Sequence, residues 1–147
     1  MTRLLRLIAA MLALSSAVAV AHTAGAQQPE SRWIAIASSN GSVVSLDRQT
    51  VNKLRDGTFA AWVEFRHHEP QSADEGTLRF DRAMYREQVD CVEHRDRWLS
   101  ITQFLGEKQV RTLNSDRRDG PWTYPSPGSV GEKIVNAICE AGRRSAS

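Results

Sequence analysis

Thr58–Arg66, TFAAWVEFR, is the stretch that decides the fold. Its alternate positions separate cleanly. Phe59, Ala61, Val63 and Phe65 are all apolar, while Ala60, Trp62 and Glu64 share the other phase. A period of two is the pattern of a strand, because successive side chains point to opposite faces. The uniformly apolar set is therefore expected to face a core. Asp56-Gly57 just before it is a turn dipeptide, as glycine reaches positive φ at no steric cost. Upstream, Trp33–Ala37 alternates in the same way, and Asn40-Gly41 is a strong hairpin signal that returns the chain through Val43–Leu46. Asn40-Gly41-Ser42 also fits a glycosylation sequon, but the turn is the better use of it. Val51–Leu54 is a further short extended piece.

Downstream, His67–Gly76 (HHEPQSADEG) has the composition of a polar loop. Leu78, Phe80 and Met84 then share one phase and Tyr85, Val89 and Cys91 the opposite one, which a bulge or bend between them would explain. Arg97–Leu105 is apolar in both phases, the pattern of a central strand covered on both faces. Gly106 turns the chain into Gln109–Leu113, and Asn114–Gly120 is a charged loop. An edge strand such as Val43–Leu46 offers a site for homodimer pairing.

The last element is a helix with a marked start. Ser129-Val130-Gly131-Glu132 is a capping box, with Ser129 at the cap and Glu132 three residues on. Val130, Ile134, Ala137, Ile138 and Ala141 follow at helical spacing and form one apolar stripe. Gly142–Ser147 is a polar tail expected to fray, which puts the ordered core at about 32–141. The fold class is α+β: an antiparallel sheet of about six strands with one terminal helix packed on a face of it.

The beginning of the chain has the pattern of an export signal. Arg3 and Arg6 precede the apolar run Leu7–Val20, and Ala24-Gly25-Ala26 supplies a small-x-small cleavage site. That run is about 14 residues, roughly 21 Å as a helix, too short for a hydrocarbon core of about 30 Å. An uncleaved anchor is the rival reading. Residues 1–26 are thus expected to be a signal peptide and 27–147 a single domain, with no stable membrane span once the signal is cleaved. The leader carries two of the nineteen Lys and Arg residues, leaving seventeen against seventeen Asp and Glu. A neutral mature chain lacks the clustered basic excess of a nucleic-acid binder.

Cys91 and Cys139 are the two cysteines. An even pair in an exported chain reads as a disulfide, because the compartment is oxidising and a small domain benefits from a cross-link. A metal pair and a catalytic thiol are the alternatives, although neither cysteine belongs to a CxxC and no His-rich set surrounds them. A bridge would tether the helix to the sheet.

Several features together are similar to the surface-adhesin protein E family. They are Trp33 in the first strand, Trp62 in the third, Val89-Asp90-Cys91 at a strand end, and Phe104 before Gly106. Trp122 followed by Pro127-Gly128-Ser129-Val130-Gly131-Glu132, with Cys139 seven residues later, is the most specific. The resemblance implies a curved antiparallel sheet with a carboxy-terminal helix held across it by the Cys91–Cys139 disulfide. It also implies adhesion to host macromolecules at the cell surface. No cysteine follows the apolar leader as it would in a lipoprotein, so a periplasmic or secreted protein fits as well as a displayed one.

Catalytic and metal chemistry find little support in the residues. There is no G-x-S-x-G elbow, Walker motif or dinucleotide fingerprint, and the Ser129 hydroxyl is better used as a cap. Asp74-Glu75 reads as solvated charge. His67-His68-Glu69 and Cys91-Val92-Glu93-His94 each resemble half a metal site with the other half missing. No catalytic residue, metal or cofactor is expected. Trp33, Trp62, Trp98 and Trp122 are read chiefly as core, with Trp62 the exception because its phase opposes the apolar set. Trp62, with Arg117 and Arg118, is the candidate binding surface. The expected function is a non-enzymatic, exported binding or adhesion module contacting host or envelope macromolecules. The alternative is a soluble periplasmic small-ligand binder using the concave sheet face.

Overall fold

A computed structural model describes residues 31–39, 41–115 and 120–145. The expected leader, Asn40 and the pair Arg117 and Arg118 lie outside the described residues. Six strands follow in order: β1 (Trp33–Ser39), β2 (Ser42–Lys53), β3 (Phe59–Ala73), β4 (Leu78–Asp90), β5 (Arg95–Leu105) and β6 (Lys108–Asn114). Each pairs antiparallel with the next, giving an open meander in sequence order. One helix, α1 (Val130–Ser145), closes the chain.

The alternation in β3 sets the two faces. Directly paired residues share a face, so the row through Val63 also holds Leu46 and Tyr85. Ala61, Val63, Leu46 and Val89 are fully buried and pack with Ile134, Val135, Ile138 and Cys139 of α1. The stripe that gave the helix its apolar side is thus the stripe that covers β1–β3. Complete burial of Ile138 and Val135 contributes roughly 1.5–3 kcal/mol each. At the start of α1, the Ser129 Oγ accepts the Glu132 N–H at 3.2 Å. Glu132 Oε2 accepts the Gly128 N–H at 2.7 Å, one residue earlier than the reciprocal bond of a capping box.

A disulfide joins Cys91, just beyond β4, to Cys139 on α1, with the Cα atoms 5.7 Å apart. The turn between β4 and β5 is built around it. Asp90 Oδ1 accepts the Val92 and Glu93 N–H groups, and Arg95 donates to Asp90 Oδ2. His94 takes a left-handed φ of 54° there and sets its Nε2 3.0 Å from Asn136 Oδ1 on the helix.

The structure corrects several expectations. Val43–Leu46 and all of Val51–Leu54 but its last residue are parts of one strand, with a register shift between Asp47 and Asn52. There Thr50 Oγ1 accepts the Trp62 N–H at 3.0 Å, a side chain standing in for a ladder partner. β2 lies between β1 and β3, so it is no edge; the edges are β1 and β6. Most of His67–Gly76 extends β3 as far as Ala73, because it pairs with the first residues of β4, and its mostly exposed side chains can be polar at no cost. No bulge separates Met84 from Tyr85; the two phases are the two faces of a continuous strand. β5 has neighbours on both sides but is not covered on both faces, since Trp98 and Leu105 are 42% and 41% exposed. None of the four tryptophans is buried. Finally, α1 continues to Ser145, with Gly142 buried under the Phe59 ring, where a Cβ would stand 2.5 Å from a ring carbon.

Candidate binding surfaces

Arginine and aromatic residues meet repeatedly on the sheet face that α1 leaves bare. Trp62 pairs with Asp47 and Arg86, and Trp33 pairs with the same Asp47, so these four share that face. Arg82 and Phe104 are direct partners there as well. Thr123 bridges to Asp96, which extends the sheet beside the start of β5 and sends Trp122 to the bare face. The Arg82 guanidinium sits 4.0 Å from the centre of the Phe104 ring. Arg97 and Arg95 lie 4.4 Å and 4.6 Å from Trp122. Arg86 lies 5.7 Å from Trp62 and Arg32 6.0 Å from Trp33. These are cation–π distances. Alternation explains the convergence: Arg82 and Arg86 fall in one phase of β4, and Arg95 and Arg97 in one phase of β5.

Acidic groups on this face are few and engaged. Asp47, 1% exposed, accepts from Arg32 at 2.6 Å. Glu64 lies 3.1 Å from Arg66 and 3.6 Å from Arg82. Gln88, itself buried, links Arg97 to Asp56 and Thr58 in one polar network. The Thr58 hydroxyl and backbone N–H hold the Asp56 carboxyl below its usual range. Toward β6, Arg66, His67, Asp81, Arg82, Gly106 and Glu107 line a polar cavity of about 440 Å³. Partial burial pushes the His67 imidazole below its ordinary pKa, and its Nδ1 lies 2.8 Å from the Ser42 hydroxyl.

Of the residues singled out in the sequence, Trp62 lies on this bare face, half-buried under Arg86. Arg117 and Arg118 lie outside the described residues, so no placement joins them to it. Cys91 is in the disulfide, and His94 contacts Asn136. Among the described residues no group of three His, Cys, Asp or Glu side chains is arranged to hold a metal ion. Sequence reasoning missed Arg82, Arg86, Arg95 and Arg97. Their signal was the shared phase with Met84 or with each other, hidden because scattered arginines resemble ordinary surface charge.

The family model for surface-adhesin protein E matches residues 33–140, which span all six strands and most of α1. The chain belongs to the surface-adhesin protein E family. Membership makes it an adhesin-like surface or exported protein. The sheet, the helix and the disulfide all fall within or at the border of the matched region. No described helix is long and apolar enough to cross a membrane. Neither a curated protein nor a solved structure shows significant similarity to the chain.

Proposed function

We propose that this adhesin E family member is an exported, non-enzymatic adhesion module that engages acidic host or envelope macromolecules through its helix-free sheet face. The observation that carries the reading is the set of five guanidinium groups stacked on Phe104, Trp122, Trp62 and Trp33. Stacking holds each planar cation in place while leaving N–H donors for carboxylate, sulfate or phosphate oxygens, which arginine meets in a two-pronged fashion. A pre-ordered array spread over several strands in this way suits a polymer better than a compact ligand. Export begins, in this reading, with cleavage after Ala26, leaving Gln27 as the first residue.

Retention on a sulfated polysaccharide column tests the binding. The wild type elutes at a salt concentration that falls when Arg82 and Arg86 are both changed to alanine. Equal elution of the two proteins defeats the proposal. Protease treatment of intact cells, with amino-terminal sequencing of the exported protein, tests the location. Display gives digestion without permeabilising the outer membrane, and a periplasmic protein is digested only after it.

A further inference from the structure

The opposite face of the same sheet, beyond the reach of α1, holds a separate cavity of about 220 Å³. Tyr85, Glu87, Asp96, Trp98, Ser115 and Thr123 are among its lining residues. Glu87 is only 6% exposed and its Oε2 has no hydrogen-bond partner; Asp96 Oδ1 is likewise buried and without one. Glu87 pairs with Trp98, and Asp96 lies two residues before Trp98, so the two carboxyls are diagonal neighbours on one face. A buried carboxylate is costly unless it is paired.

Among the described residues, Arg97 is the cationic residue at the cavity wall, and its guanidinium is committed elsewhere. It donates to Gln88 Oε1 at 3.0 Å and to the Gly120 carbonyl at 3.4 Å, and it stacks on Trp122 across the sheet. Among the described residues, the walls therefore present acceptors and aromatic surface but no cation aimed inward.

We propose that this cavity binds an organic ammonium group, the primary-amine or N-methylated head of a small ligand. The ammonium hydrogens meet Glu87 and Asp96, and its carbon substituents lie against Trp98 and Tyr85, whose ring faces attract cations. An inorganic divalent ion fits less well. Calcium takes six or more oxygen ligands, and no third acidic or imidazole side chain joins these two among the described residues. Burial, then the nearby Asp96, lifts the Glu87 carboxyl to about 8, so at neutral pH Glu87 is mainly in its acid form. An incoming ammonium makes the carboxylate the favoured form, and the displaced proton leaves to solvent. Among the described residues, Asp96, also raised by burial, and Tyr85, raised by burial and Glu87, are the other titratable groups facing it, with Arg97 at the wall. The site lies on the face opposite the arginine array, so its failure leaves the adhesion proposal standing.

The test titrates 1,4-diaminobutane, tetramethylammonium and Nα-acetyl-lysine amide into the full disulfide-bonded protein. The Trp98 indole resonance is followed by NMR, and pH in weak buffer near neutrality. The expected result is a saturable shift of that resonance with up to one proton released per ligand. Glu87→Gln keeps the side-chain shape and is expected to weaken binding roughly ten-fold or more. Asp96→Asn carries the same test should that variant not fold. Tighter binding of the lysine amide identifies a protein side chain as the source, and tighter binding of diaminobutane a free amine; both uphold the proposal. No saturable shift with any probe at millimolar concentration overturns it. Undiminished binding by the variant, or the same shift from sodium or calcium chloride, overturns it equally.

Discussion

The two halves of the sheet differ far more than their continuous hydrogen bonding suggests. Under α1, β1–β3 present Val44, Leu46, Ala61 and Val63, all at 2% exposure or less. On the same face, β4–β6 present Glu87 and Gln103, buried with polar atoms unpartnered, and an exposed Trp98. The cause is width. A helix is about 10–12 Å across, while six strands spaced at about 4.8 Å span more than twice that. One helix covers about half the sheet and buries it dry. The rest is left to aromatic rings, polar side chains and the Gly120–Thr123 segment. One half supplies cohesion, and the other is free to carry recognition.

The comparison is tested most severely at the covalent link. Cys139→Ser is expected to cost about 4 kcal/mol, the chain-entropy value for a separation of 48 residues. Calorimetry of the oxidised protein gives the number, and a melting curve unaffected by the substitution or by reductant would show that packing alone holds α1. Next in size is the contrast between Ile138→Ala and Leu105→Ala. Ile138 is fully buried, and its truncation is expected to cost about 2–5 kcal/mol. Leu105 is 41% exposed and lies in the other half, so its truncation is expected to stay under about 1 kcal/mol. Equal losses in urea melts would erase the distinction between the halves.

How much of this was legible in the sequence follows the same division. TFAAWVEFR and the stripe from Val130 to Ala141 carried clear periods because both lie where one face is dry and the other wet. The disulfide and the helix start were equally plain. The second half lacked such a contrast. Trp98, Leu99, Ile101 and Leu105 look like a doubly buried strand, yet among the described residues no second layer covers both its faces. HHEPQSADEG looks like a loop because polar side chains are tolerated on strands exposed on both faces. Glu87 could not be recognised at all. Its chemistry depends on Asp96 and on the chain around Gly120, which the turn before β5 and the Thr123 bridge bring together.

A pH dependence and a single stacked contact sharpen the contrast. Glu87 has its pKa raised to about 8 from an ordinary 4.5. The folded protein therefore holds a proton that the unfolded chain has released between those values. The resulting stability is complete below about 4.5 and is lost as pH rises through about 8. Melting temperature is expected to fall across that interval, and Glu87→Gln to remove most of the fall. A variant with the same slope as the wild type would assign the pH dependence to other groups. Smallest of all, Arg86→Ala removes one stacked cation from Trp62 and is expected to cost about 0.5–1 kcal/mol. A loss of several kcal/mol in chemical denaturation would make the arginine array a structural device instead of a binding one.

The bridge between Cys91 and Cys139 also closes a covalent ring that contains the whole of β5 and β6 and the first part of α1. One peptide cleavage anywhere from Val92 to Ile138 opens that ring without dividing the molecule. The two pieces migrate together on a non-reducing gel and come apart only with a thiol. A cut within β2, β3 or β4 has no such safeguard. For an exported or surface protein that meets proteases, the part that carries Trp122 can be nicked once and still remain attached to the part that holds the core.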